Sequence, residues 1–239
     1  MAIIEVSNLT KIYVDESAPT KALDGVCLNV EKGEFVAIMG PSGSGKSTLL
    51  HILGFLDRPT SGKYLFENKS MDEYSDKELA RIRNQKMGFI FQAFNLLPRT
   101  TVFENVKLPL IYSDIAESKW DDLTIKAIEA VGLSHRIHYE TSQLSGGEKQ
   151  RTAIARALVV GPSVIFADEP TGNLDSKSGG QVMETIEKLH KSGHTIILIT
   201  HETYTAEYAQ RIITLKDGLI ESDSKVSQQH HLKDHRFIK

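Results

Sequence analysis

Residues 35–48, FVAIMGPSGSGKST, decide the fold. The first five are an uninterrupted apolar run of strand length, the pattern of a strand covered on both faces. Gly40, Gly45, Lys46 and Ser47 then match the spacing G-x-x-x-x-G-K-[ST], and residues 46–56 read as a helix. The physics of that spacing is specific. Glycines let main-chain N–H groups crowd around phosphate oxygens, and the helix start adds its partial positive charge. The loop Gly40, Pro41, Ser42, Gly43, Ser44, Gly45 would form the cradle, closed by Lys46, Ser47 and Thr48. Lys46 would reach the β- and γ-phosphates of a nucleotide, and the Ser47 hydroxyl would ligate Mg²⁺. A plain Gly/Ser turn is the competing reading, and the strand–loop–helix context argues against it.

Outward from this loop the pattern alternates. Residues 3–9 and 25–30 show partial β alternation, 62–66 suggests a further strand, and 76–84 a charged helix leading into an apolar strand at 87–91. From 93 to 143 helical patterning dominates, most clearly at 121–131. The segments 145–159, 164–167, 177–191 and 196–199 then read as helix, strand, helix and strand, with Val182, Ile186 and Leu189 marking one helix face. The expected fold is α/β: a phosphate-loop nucleoside-triphosphatase core on a parallel sheet, an N-terminal antiparallel β subdomain, and a helical subdomain inserted at about 93–150. The domain is expected to span 1–222, with a polar tail over 223–239. In that tail His230, His231 and His235 read as a solvated segment rather than a metal site.

Two further motifs carry chemistry. In VIFADE, 164–169, two carboxylates leave the end of a buried strand, where such sheets place ligands. Asp168 is expected to hold Mg²⁺ through water, and Glu169 to take a proton from the attacking water. In LSGGE, 144–148, Ser145 reads as an N-cap and Glu148, three residues on, completes a capping box. Gly146 and Gly147 leave N–H groups open to an anion. A second phosphate-facing helix start in one small chain makes sense if it completes a site on another copy.

LSGGE followed by KQRTAIARAL resembles the signature of the ATP-binding-cassette family. Other motifs of that family follow in order: Gln92 as its Q-loop glutamine, Asn173–Leu174–Asp175 as its D-loop, and His201 as its switch histidine. Tyr13 stands where the family places an aromatic ring against adenine. The resemblance covers about residues 1–222 and implies an ATPase using Mg²⁺. It implies a head-to-tail homodimer with two ATP molecules, each between one subunit's phosphate loop and the other's Ser145–Glu148. It implies Glu169, His201 and Gln92 as catalytic residues, Gln92 also contacting Mg²⁺. The partners implied are integral membrane permease subunits on separate chains, with this chain cytoplasmic and peripheral on the inner face of the cell membrane. The stretches 83–92, 91–110 and 167–179 look like the branch of macrolide exporters, lipoprotein-release transporters and cell-division complexes. Phe94, Leu96, Leu97 and Pro98 form an apolar loop suited to a partner's helix.

Composition narrows the classes further. A net charge of −3 gives no electrostatic reason to expect nucleic acid. Cys27 is the single cysteine, so no internal disulfide framework is expected. The first residues lack a basic–apolar leader, and no apolar run approaches the ~20 residues of a membrane span. A soluble family member acting on DNA or ribosomes is the rival class, and a simple phosphate-loop kinase the third, in which LSGGE has no role.

Overall fold

The computed structural model describes residues 1–14, 18–227 and 229; the histidines at 230, 231 and 235 lie outside the described residues. In chain order the elements are β1 (Ala2–Val14), β2 (Pro19–Glu31), β3 (Phe35–Met39), α1 (Lys46–Leu53), β4 (Ser61–Phe66), β5 (Lys69–Ser70), α2 (Asp76–Lys86), β6 (Met87–Phe91), α3 (Val102–Lys107), α4 (Trp120–Ala130), α5 (Gly146–Leu158), β7 (Val164–Asp168), α6 (Ser176–Lys191), β8 (Thr195–Ile199), α7 (Thr203–Ala206), β9 (Arg211–Lys216) and β10 (Leu219–Lys225). Single turns of 3-10 helix fill parts of the chain between them. Two compact units result, one from residues 1–80 and 195–230, the other centred on 81–194.

The first unit holds an antiparallel sheet in the order β2-β1-β4-β5, and a second set in which β3 runs parallel to both β8 and β9 while β10 is antiparallel to β9. The apolar runs behave as their composition requires. Ile196, Ile197 and Leu198 of β8 are fully buried, as are Phe35, Val36 and Ala37 of β3. β1 and β2 run 13 residues each, well past the alternating cores that the pattern marks. They bridge the extra length through irregularities in register, one at Asn8, whose φ is +55°. That extension carries Tyr13 out to pair with Thr20.

Two elements depart from expectation. The helix opened by Lys46 stops at Leu53, not 56, because Gly54 caps it and Phe55 adopts a left-handed φ of +56°. The hairpin β9–β10 carries strand structure through Lys225, the third residue of the expected tail, and Asp223 there pairs with Arg211. Its turn is Asp217–Gly218, both at positive φ, and an Asp-Gly pair between alternating runs is a strong hairpin signal.

In the second unit β6 and β7 pair in parallel, from Met87 opposite Val164 to Phe91 opposite Asp168. Gly88 is needed there, since a Cβ on it would lie 2.8 Å from the Ala157 carbonyl of α5. The face of α6 marked by Val182, Ile186 and Leu189 is buried. Among the described residues no helix is long and apolar enough to cross a membrane.

Candidate functional site

The phosphate loop sits in the first unit between β3 and α1. Gly40, Gly43 and Gly45 all have positive φ, from +79° to +152°. A Cβ at Gly40 would lie 2.0 Å from the Leu215 carbonyl oxygen, and one at Gly45 2.4 Å from that of Ala22. The loop is therefore bare main chain pressed against neighbouring strands. Gly45 is the N-cap of α1 and supplies no side-chain cap, which leaves the first-turn N–H groups to an outside acceptor. Lys46 is buried, its ammonium donating to the carbonyls of Gly40 at 2.8 Å and Pro41 at 2.7 Å. The Ser44 hydroxyl is buried with no hydrogen-bond partner among the described residues, and Ser47 is exposed. A glycine cradle, a lysine on its rim, an unsatisfied hydroxyl and an open serine fit a triphosphate with its metal ion.

Tyr13, in the same unit, is held by three groups. Its hydroxyl donates to Asp57 at 2.9 Å and engages Thr48, and the Lys11 ammonium lies 4.8 Å from the ring centroid. Lys11 also donates to Asp57 at 2.7 Å. Partial burial and the hydrogen bond to Asp57 push the Tyr13 hydroxyl pKa up. Burial would raise that of Asp57 too, but the Lys11 and Tyr13 hydrogen bonds outweigh it and hold the carboxylate below its ordinary value. His201 follows β8 and is exposed.

The second unit gathers the other motifs. Asp168 ends β7, and Glu169 follows at a left-handed φ of +44°, directly before Pro170. The turn closes when the Gly172 N–H donates to the Glu169 carbonyl at 3.0 Å. Gln92 lies against this turn: a Cβ on Gly172 would come within 2.5 Å of its Nε2, and its carbonyl accepts from Asn173 at 3.0 Å. Gln92 and Asn173 are thus in contact. Beyond Gln92, Phe94 and Asn95 both have positive φ, and their carbonyls accept from Arg156 of α5 at 2.9 and 2.6 Å.

Ser145 is the N-cap of α5, as the capping box requires. Its hydroxyl accepts from the Glu148 N–H at 3.3 Å, and Glu148 Oε2 accepts from the Ser145 N–H at 2.9 Å. The other Glu148 oxygen accepts from Arg136 at 2.8 Å. Burial works to raise the Glu148 pKa, but the Ser145 N–H and the Arg136 guanidinium hold it below the ordinary carboxylate range. Both carboxylate oxygens are therefore occupied in shaping the turn. Gly147 packs so that an added Cβ would meet the Ser178 Cβ at 3.0 Å. The clamps on Tyr13, Gln92 and the Phe94 turn escape sequence reading because they join residues 44 to 81 positions apart.

Residues 23–172 match the family model described as ABC transporter. The chain belongs to the ABC transporter family. Within this family it is an ATP-binding cassette, an ATPase domain of α/β fold. It is 52% identical over 223 residues to the macrolide export ATP-binding/permease protein MacB of Chlorobaculum tepidum, covering 93% of this chain and 34% of that protein. The chain thus spans about a third of the length of that relative. An uncharacterized ABC transporter ATP-binding protein of Thermotoga maritima is 48% identical, with 92% of this chain and 94% of that one covered. The dimeric structure of MJ0796, a bacterial ABC transporter cassette, superposes with a TM-score of 0.85 at 43% identity, covering 93% of this chain and 98% of that one. A second dimeric structure of that cassette, a post-hydrolysis state bound to ADP and Pi, gives 0.84 at 42% identity over the same shares.

Proposed function

We propose that this cassette dimerises head to tail on Mg·ATP and, by hydrolysing it, drives integral membrane permease subunits of the macrolide-export or lipoprotein-release type. The observation that supports this reading is the pairing of two unlike helix starts in one chain. The uncapped start at Gly45 has a lysine at its rim, and the start at Ser145 is capped by its own residues. In the proposal the cassette spans 1–222 with its helical subdomain at about 93–150, and works on the cytoplasmic face of the membrane.

Each residue then has a role. The loop N–H groups of Gly40–Thr48 and the Lys46 ammonium hold the β- and γ-phosphates. Tyr13 stacks on the base. Ser47, Gln92 and Asp168 would hold Mg²⁺, which when bound neutralises phosphate charge. Glu169 accepts a proton from the water whose oxygen attacks the γ-phosphorus; the bond to the β-phosphate bridging oxygen breaks, leaving ADP and phosphate. His201 donates a hydrogen bond to the γ-phosphate. Ser145, Gly146 and Gly147 bind the partner copy's γ-phosphate, with Glu148 fixing their turn. The exposed Leu97 and its neighbours in the 94–98 loop receive the permease.

Glu169→Gln keeps the shape and removes the base. It should slow hydrolysis about 10²–10⁴-fold and accumulate as an ATP-bound dimer. Size-exclusion chromatography with and without Mg·ATP reads this directly. A variant that turns over ATP at the normal rate would refute the role of Glu169. One that stays monomeric at saturating ATP, alone and with the permease, would refute the shared site.

A further inference from the structure

Gln150 sits in α5, five residues beyond the Ser145 cap, and is fully buried. Its Nε2 donates to two main-chain carbonyls, that of Pro170 at 2.9 Å and that of Phe91 at 3.3 Å. These two carbonyls belong to the residues next to Glu169 and Gln92. Its Oε1 is buried with no hydrogen-bond partner among the described residues. A half-satisfied buried amide is costly, so a packing role alone would favour an apolar side chain of the same size.

Glu169 supplies the reason for keeping an amide there. A non-glycine residue at φ +44° is in a sparsely populated region, and it persists only where its surroundings over-determine it. The Gly172 N–H holds the Glu169 carbonyl from one side of the turn, and Gln150 holds the next carbonyl, at Pro170, from α5. The same amide fixes the end of β6, where Gln92 begins, while Asn173 holds the Gln92 carbonyl. We infer that Gln150 is a positioning residue: by gripping the Pro170 and Phe91 carbonyls it holds the Glu169 carboxylate and the Gln92 side chain in register with each other. The inference rests on the proposed role of Glu169 as the base. It adds that the helix opened by the signature turn sets where that base stands.

The test uses the full chain with Mg·ATP. Gln150→Met removes both donors and keeps the volume. It should lower kcat by up to about 10²-fold, the cost of an ångström-scale displacement, with nucleotide affinity changed less than about twofold. In a Glu169→Gln background the same substitution should add less than about twofold, because the base it positions is already gone. Should Gln150→Met fail to bind nucleotide, Gln150→Glu, of equal size with acceptors in place of donors, is measured instead and should show the same split. An unchanged kcat beside an impaired Glu169→Gln overturns the inference alone. So does a loss of equal size in both backgrounds, the mark of a merely structural role. Normal turnover by Glu169→Gln itself overturns the underlying assignment of the base, and this inference with it.

Discussion

The helix starts at Gly45 and Ser145 solve the same electrostatic problem in opposite ways. At Gly45 the chain withholds a cap: the N-cap residue has no side chain, φ is +99°, and no side chain caps the first turn that Lys46 opens. At Ser145 the chain closes the terminus on itself: the Ser145 hydroxyl accepts from the Glu148 N–H, the Glu148 carboxylate accepts from the Ser145 N–H, and Arg136 neutralises the acid. A helix start without a cap is unsatisfied until an anion arrives, so it suits a ligand held by its own chain. A start that is already capped is stable alone and offers only its remaining donors. It suits a contact made and released in each cycle.

The strongest way to break this comparison is to add one methyl group to each turn. Gly40→Ala places a Cβ at 2.0 Å from a main-chain oxygen on a backbone of φ +152°. It should cost more than about 4 kcal/mol of stability and abolish nucleotide binding. Gly147→Ala meets side chains and no carbonyl, Ser178 at 3.0 Å and Arg151 at 3.6 Å, so the loss should stay within about 1–3 kcal/mol. Urea titrations of both proteins decide it, and equal losses would show that the two turns are packed alike.

A sharper cut separates the functions rather than the stabilities. Ser145→Arg should leave nucleotide affinity of the isolated chain within about twofold while preventing the ATP-dependent dimer in the Glu169→Gln background. Equilibrium binding of a fluorescent ATP analogue and size-exclusion chromatography report the two halves. A variant that still dimerises would place the second phosphate contact elsewhere.

The smallest effect is in pH. Glu148 has a pKa lowered by folding, so its charge contributes stability that is fully present above the unfolded value of about 4.3. That contribution fades as pH falls through the still lower folded value. Glu148→Gln keeps the size but not the charge. The wild-type protein should therefore melt above the variant at pH 6–7, and the gap should narrow below about pH 4. A gap independent of pH would mean that the Arg136 pairing contributes nothing through charge.

These contrasts also mark what could be read from sequence. The phosphate loop, the strand ending in Asp168 and the Ser145 capping box are local: each is written in under a dozen consecutive residues, and each folds as its pattern requires. The β9–β10 hairpin is equally local, marked by Asp217–Gly218, but each run is short and the segment beyond has the composition of a tail, so the pattern is weak. The groups that hold these side chains in place are a different matter. Asp57 beneath Tyr13, Gln150 beneath Glu169 and Asn173 beside Gln92 follow no period, since the partners are brought together only by the sheet and α5. Even the burial of Gln150 contradicts its polarity, so pattern alone would have placed it on the surface.

The turn at Phe94 and Asn95 has a consequence for how such a machine can change. Arg156 grips that turn through two carbonyl oxygens, and the Asn105 amide and Thr141 hydroxyl hold Leu97 through its own main chain. None of these bonds reads a side chain of the loop. Its apolar residues can therefore drift in identity while the backbone keeps its course, so, if the loop docks the permease as proposed, that surface can be rewritten without retuning Gln92 beside it.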